Sequence, residues 1–189
     1  MILDLSDYGK FLTVSAFRTP QEMNPTEFLK ELRARLPSVE LQFFDCNHVA
    51  GIEHLEMAAI NALHAFRNSI NVSRSLSMET LLYASAQRQI DVAIQMVGVT
   101  GDCQCVGFVA FSETKDAAES LENKIARAIA TELDISLLEE WSDEKADRIR
   151  DMYGIKDAEL EALRLPGLKL KEVISKAIVE RVALLSTRT

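Results

Sequence analysis

No stretch of this chain is long and apolar enough to cross a membrane: its longest apolar runs, such as VGFVAF, fall far short of the about 20 residues that a bilayer core requires. The first residues, MILDLSDYGK, carry acids where a secretory signal would be basic, so a cytoplasmic location is expected. Cysteine is scarce. Cys46, Cys103 and Cys105 are an odd number, and the last two stand one residue apart on one side of an expected strand, which suits neither a disulfide framework nor a zinc knuckle. Buried thiols in a reducing compartment fit that pattern. Proline and glycine are also few, four and seven residues spread along the chain, so no linker or low-complexity segment divides it. A single domain over residues 1–189 is expected, large enough to bury roughly 70% of the surface its unfolded form exposes without a staple or metal.

Catalytic signatures are missing as well. The chain has no phosphate loop, no glycine-rich dinucleotide turn after a strand, no nucleophile elbow and no H-E-x-x-H helix. No enzyme activity, cofactor or small-molecule substrate is therefore expected. The competing reading is a small-molecule or thiol enzyme with a cleft around Cys46, His48 and His54. It gains little from spacing, because no second pair of metal ligands accompanies Cys46 and His48. Glu53 and Glu56 flank His54 within one helical turn, an arrangement equally suited to a solvated helix face.

What is present is an uneven distribution of charge. The net charge of −8 argues against broad phosphate binding. From Glu113 to Glu161, however, fifteen acids face seven bases, whereas residues 162–189 hold six bases and two acids. An acidic belt and a basic end on different faces would still leave local cationic surface.

Periodicity sets the architecture. FLTVSAF, VELQFFD and CQCVGFVAFS read as three strands, the last nearly apolar and so interior to a sheet. Between the first two, Asn24, Pro25 and Glu27 signal a helix start. Later helices are expected from Lys115 to about Thr131, and from Asp143, capped by Ser142 and closed by Gly154, with DISLLEEW as a short connecting stretch. The fold class is α+β, a small central sheet covered by several helices.

The segment 52–99 carries most of the information. Ile52, Leu55, Ala59, Ala62, Leu63 and Phe66 recur at helical spacing and must bury one face of a helix ending near Phe66. A second helix is expected after Ser77 as N-cap, with Glu79 near its positive end, running through Leu81 and Leu82. This helix is expected to run beyond Ala86, with Gly98 as a stop further on; Ala86 and Gln87 before Arg88 leave open a break, a gentle bend or a continuous helix. Only three strong bases, Arg67, Arg74 and Arg88, occur in the segment. Arg74 and Arg88 lie near helix ends with Asn71, Ser73 and Gln89 as polar neighbours, a composition suited to anions. The plainer reading is capping, or pairing with Glu53, Glu56, Glu79 or Asp91.

The last helix, LKLKEVISKAIVERVALL, gathers Leu170, Val173, Ile174, Ala177, Ile178, Leu184 and Leu185 on one side, with Arg181 in their midst. An arginine there needs a carboxylate, an escape to solvent, or a partner surface on which arginine is an anchor. A third functional reading follows from the stripe alone: a homodimer built on this helix.

The order EHLEMAAINALHAF, SRSLSMETLLYAS and QRQIDVAIQMVGV, leading into a strand, resembles the small KEOPS subunit family that binds the complex's protein-kinase-like subunit, over about Asp45 to the C-terminus. The resemblance implies a non-catalytic accessory role in N6-threonylcarbamoyladenosine formation at position 37 of tRNA. It implies two partners, the kinase-like subunit and the tRNA 3′ CCA end, the latter expected at Arg67, Asn71, Arg74, Arg88 and Gln89. His54, His64 and Tyr83 are possible stacking platforms. Docking of the kinase-like subunit is expected at Val173, Ile174, Ile178, Arg181 and Leu185, with help from the helix after Arg88.

Overall fold

The structure is a computed structural model and describes residues 1–19, 24–37, 39–129 and 131–187. Its frame is one antiparallel sheet of four strands, β1 (Ile2–Leu5), β2 (Lys10–Arg18), β3 (Glu40–Asp45) and β4 (Cys105–Ser112), in the order β1-β2-β4-β3. Val14 lies opposite Val109, and Phe43 opposite Phe108. The expected interior strand is β4, hydrogen-bonded on both edges. Strand β1 was not expected. It is an edge strand whose side chains are only half-buried, so its short sequence lacks strong alternation; Gly9, with φ of 65°, turns the chain back into β2.

Both sheet faces are covered, which explains why β2 and β4 are buried on successive residues rather than on alternate ones. Helices α1 (Pro25–Arg35) and α5 (Lys115–Ile129) pack on one face, around Phe17, Leu32, Phe43, Phe108 and Ile125. Asn24 caps α1 by accepting from the amides of Thr26 and Glu27. Of the expected α5 end near Thr131, position 130 lies outside the described residues. The other face carries α2 (Ile52–Arg67), α3 (Leu76–Ser85), α4 (Ile90–Val97), α6 (Asp143–Tyr153), α7 (Asp157–Leu163) and α8 (Leu170–Leu184), packed around Leu12, Val14, Phe44, Leu55 and Val109. That makes eight α-helices among the described residues, with DISLLEEW containing a 3-10 turn, Ile135–Glu139. Helix α7 escaped the sequence reading because it is seven residues long and buries only Leu160, too little to show a period.

The stretch from Ser77 to Gly98, open in the sequence to a break, a bend or a continuous helix, is two helices. Ser75, not Ser77, caps α3 by accepting from the Met78 amide, and α3 ends at Ala86 in a left-handed conformation with φ of 52°. The Ala86 amide donates to Tyr83 O at 2.9 Å and the Gln87 amide to Leu82 O at 3.0 Å, the paired bonds of a Schellman close. Gly98 does terminate α4. A Cβ there would stand 2.4 Å from Ile94 O, so no other residue fits without moving the backbone.

Candidate functional site

Helix α2 closes in the same way as α3: Ser69, with φ of 56°, donates to Phe66 O at 3.2 Å and Ile70 to Ala65 O at 3.0 Å. The loop that follows is held from inside. Glu79 is buried, and its carboxylate accepts the Val72 amide at 3.0 Å and the Ser73 amide at 2.7 Å. The charge is thus placed against two loop amides rather than against its own helix start. Asn71 Nδ2 donates to Ser73 O at 2.8 Å, and Ser73 Oγ to Ser75 O at 2.6 Å. A loop tied this way presents Ile70 and Val72 to solvent at 51% and 50% exposure, with Arg74 exposed beside them.

Across from Ile70 and Val72 stand Arg88 and the end of α8. Arg88 directs a guanidinium nitrogen to Leu185 O at 3.4 Å, and a groove of about 220 Å³ is lined by Ile70, Val72, Tyr83, Arg88, Leu185 and Ser186. Gln89 is exposed at the N-cap of α4 and its side chain makes no cap bond. Arg67 belongs to a neighbouring groove of about 590 Å³, where its guanidinium lies 5.7 Å from the Tyr8 ring and close to Lys10. The five expected RNA contacts therefore divide. Asn71, Arg74, Arg88 and Gln89 cluster at the two helix junctions, and Arg67 faces the β1–β2 hairpin. Among the described residues none of Arg67, Arg74 and Arg88 forms the expected ion pairs with Glu53, Glu56, Glu79 or Asp91.

One stacking candidate, His54, is corrected, and Tyr83 is core, the reading that its place in LLYA favours. Tyr83 is 4% exposed and its phenol pKa is pushed up by burial and by Glu79, so it forms the groove floor rather than a free platform. His54 is wholly buried: the Ala50 amide donates to Nδ1 at 3.1 Å, which leaves Nε2–H to donate to Ala84 O at 2.7 Å. Burial lowers its pKa to about 4, so the ring is neutral at physiological pH. His64 is exposed on α2.

The same geometry removes the basis for a Cys46, His48 and His54 cleft. Cys46 is 3% exposed, His54 is fixed between two backbone segments, and half-buried His48 is lowered mainly by desolvation. Among the described residues no group of three or more His, Cys, Asp or Glu is placed to hold a metal. Cys103 and Cys105 do not share a strand face as expected. β4 begins only at Cys105, and Cys103 turns into the α1/α5 core while Cys105 joins the opposite core.

The docking stripe expected on the last helix is also corrected. Val173, Ile174, Ile178 and Leu185 are 0–6% exposed and pack in the chain's own core. Burying each is worth about 1.5–3 kcal/mol, so these side chains are committed to folding. Arg181 takes the internal solution: its guanidinium meets the Glu159 carboxylate through both nitrogens, one at 2.8 Å, and also donates to Ala177 O at 3.0 Å. That hydrogen-bonded guanidinium holds the Glu159 carboxyl below its ordinary pKa. Besides Ile70 and Val72, the large apolar side chains left outside include Leu165 and Leu170 at the approach to α8, Ile90 and Ile94 on α4, and Leu184 at the end of α8. Ile90, Ile94 and Leu184 are 39%, 44% and 43% exposed, while only Ala93 and Val97 of α4 are buried. The sequence held that signal: IDVAIQMV is apolar around more of its circumference than one core contact can cover.

Comparison with protein families matches residues 23–186 to the family model described as kinase binding protein CGI-121, which adds α1 and β3 to the segment that carries the resemblance and leaves β1 and β2 outside it. No curated protein matches the chain. With that much of its length matched, the chain belongs to the CGI-121 kinase-binding protein family.

Proposed function

We propose that this protein is the kinase-binding accessory subunit of a KEOPS-type complex, with no catalytic centre of its own, and that it brings the tRNA 3′ end to the complex that forms N6-threonylcarbamoyladenosine at position 37. The family is a non-catalytic kinase-binding one, which supports the accessory role. The observation that carries the docking half is α4: an eight-residue helix that buries Ala93 and Val97 and leaves Ile90 and Ile94 outside. Apolar side chains on a short helix supported from behind are the kind of anchor that a protein partner covers. The kinase-like subunit docks here, not on the buried face of α8.

The RNA half rests on the neighbouring junction. Arg74 and Arg88 are exposed cations beside Ile70 and Val72, on a loop whose amides are already fixed by Glu79. Single-stranded RNA ends are held by stacking on aromatic rings or arginine planes together with cations for the phosphates, and at the junction Arg74 and Arg88 can serve in both ways beside the apolar Ile70 and Val72.

The test of docking is co-elution with the kinase-like subunit. Ile90→Asp together with Ile94→Asp should weaken the complex by at least tenfold, while circular dichroism and the unfolding midpoint stay near those of the parent protein, because both side chains already meet solvent. Undiminished co-elution of the double variant would remove α4 from the interface.

A further inference from the structure

We propose that Cys46 and Cys105 form a peroxide-sensitive dithiol pair, which closes to an intramolecular disulfide and pins the turn after β3 to the start of β4. This is independent of the kinase and RNA readings. Asp45 and Val106 are the last registered pair of the antiparallel β3/β4 ladder, and one further step of the same register would set Cys46, where the 3-10 turn opens, opposite Cys105. Residues directly opposite on such strands have Cα atoms about 4.5–5.5 Å apart, within the window of about 4.4–6.8 Å that a disulfide spans. Both thiols belong to the same core, at 3% and 8% exposure, and Cys46 Sγ would stand 3.8 Å from a Cβ placed on Gly107, which shares its face of β4 with Cys105. Cys103 is excluded although it lies only two residues away. It sits in the core on the other side of the sheet, with its S–H donating to Cys105 O at 3.0 Å.

A buried cation completes the cluster. Lys145 is 5% exposed, its Nζ donates to Glu140 O at 2.8 Å and to Leu138 O at 3.4 Å, and its charge acts on both Cys46 and Cys105. Among the described residues it has no carboxylate in ion-pair contact. A lysine bonded only to neutral carbonyls leaves its positive charge available to a thiolate. The hydrogen bond from Cys46 and the nearby Lys145 and Arg18 hold the Cys105 thiol below its ordinary pKa, whereas Cys46 is pushed up. Cys105 is the attacking sulfur and Cys46 the resolving one.

The chemistry balances with hydrogen peroxide as oxidant. The Cys105 thiolate attacks one peroxide oxygen; the S–O bond forms, the O–O bond breaks, and the departing hydroxide takes the thiol proton to leave as water. Cys46 sulfur then attacks the sulfenic sulfur, the S–S bond forms, and the hydroxyl leaves with the Cys46 proton as a second water. Two thiols lose two electrons and one peroxide gains them.

The experiment treats the reduced full-length protein with hydrogen peroxide in native buffer, then denatures, alkylates and digests it without reductant for peptide mass mapping. The expected result is a linked peptide pair containing Cys46 and Cys105, alkylated Cys103, and reversal by a thiol reductant. In Cys46→Ser the linked pair should vanish and Cys105 should be trapped as sulfenic acid by a dimedone-type probe; in Cys103→Ser the link should persist. Three free thiols after peroxide, a bond involving Cys103, or a sulfinic acid at Cys105 without any S–S link would each overturn the assignment. The wild-type map alone decides if a variant fails to fold.

Discussion

Ala84 O accepts two buried donors, the His54 imidazole at 2.7 Å and the Tyr153 hydroxyl at 2.7 Å, and so joins α2, α3 and α6 at one carbonyl. The arrangement needs His54 neutral, because Nδ1 must accept from Ala50. Its pH consequence has a definite sign. The folded-state pKa of about 4 lies below the ordinary value of 6.5, so between these pH values the unfolded chain binds a proton that the folded one refuses. Stability from this residue is complete above about pH 6.5 and is lost as pH falls toward 4, by about 3 kcal/mol in all. Half-buried His48, also lowered by desolvation, adds to the same window. Urea midpoints measured between pH 7 and 4 should fall accordingly, and His54→Gln, though less stable at neutral pH, should show a flatter dependence over that interval. An equal slope in the two proteins would mean that His54 is not the group titrating. Arg181 gives a complementary lesson: its replacement breaks the Glu159 pair, so lost kinase binding in such a variant would report unfolding at α7/α8 rather than docking.

At the scale of elements, helix ends marked by a residue type suited to the cap were legible, apart from the Ser75/Ser77 choice at α3, and left-handed closes on residues other than glycine were not. Asn24, Ser142 and Gly154 mark their helix ends in the sequence because each residue type has a reason to be there: an acceptor for free amides, or a residue indifferent to positive φ. Gly154 closes α6 with Ile155 N donating to Arg150 O, and α2 and α3 close by the same hydrogen bonds on Ser69 and Ala86, where nothing in the sequence announces it. The packing of Leu82 and the burial of Ala86 enforce the left-handed turn that propensity alone would refuse, so the helix break that creates the Arg88 junction stayed undecided in the sequence. The sequence singles out the polar residues that the fold gathers at the junction, but not Ile70 and Val72 beside them, which sit in a loop with no period. The strained positions can be tested. Ser69 is exposed, so Ser69→Gly should remove a left-handed penalty of about 1–2 kcal/mol and restore about 0.5–1 kcal/mol of chain entropy cost. The net gain is about 0.5–1 kcal/mol, read as a rise in Tm of about 1–4 °C. Ala86→Gly should gain less, since its buried methyl is lost. A fall in Tm for Ser69→Gly would show that the serine hydroxyl matters more than the backbone.

For the whole molecule the question that the proposed RNA role raises is how a chain of net charge −8 would hold a polyanion. Ten of the fifteen acids from Glu113 to Glu161 lie on α5, which covers the opposite sheet face from α2 and α3, and on α6 and α7, which pack on α8; the junction itself carries Arg74 and Arg88, with Arg67 in the neighbouring groove. Beyond a Debye length of about 10 Å at 0.1 M salt, the acidic helices are screened, and the local cations dominate encounter with RNA. Few cations means few displaced counterions. With at most three arginines on the phosphates and about 0.7 ion released per contact for a single strand, log K for tRNA should fall against log salt with a slope no steeper than about −2. Arg74→Glu with Arg88→Glu should weaken binding and flatten that slope by about 1.4, and tRNA trimmed of its CCA end should bind the parent protein as weakly as intact tRNA binds the variant. A slope much steeper than −2 would demand additional bases, and the lysines of α8 are the nearest reserve in the sequence. Equal binding of intact and trimmed tRNA would mean that the junction meets RNA somewhere other than at its 3′ end, leaving kinase docking on α4 as the function that the exposed surface supports.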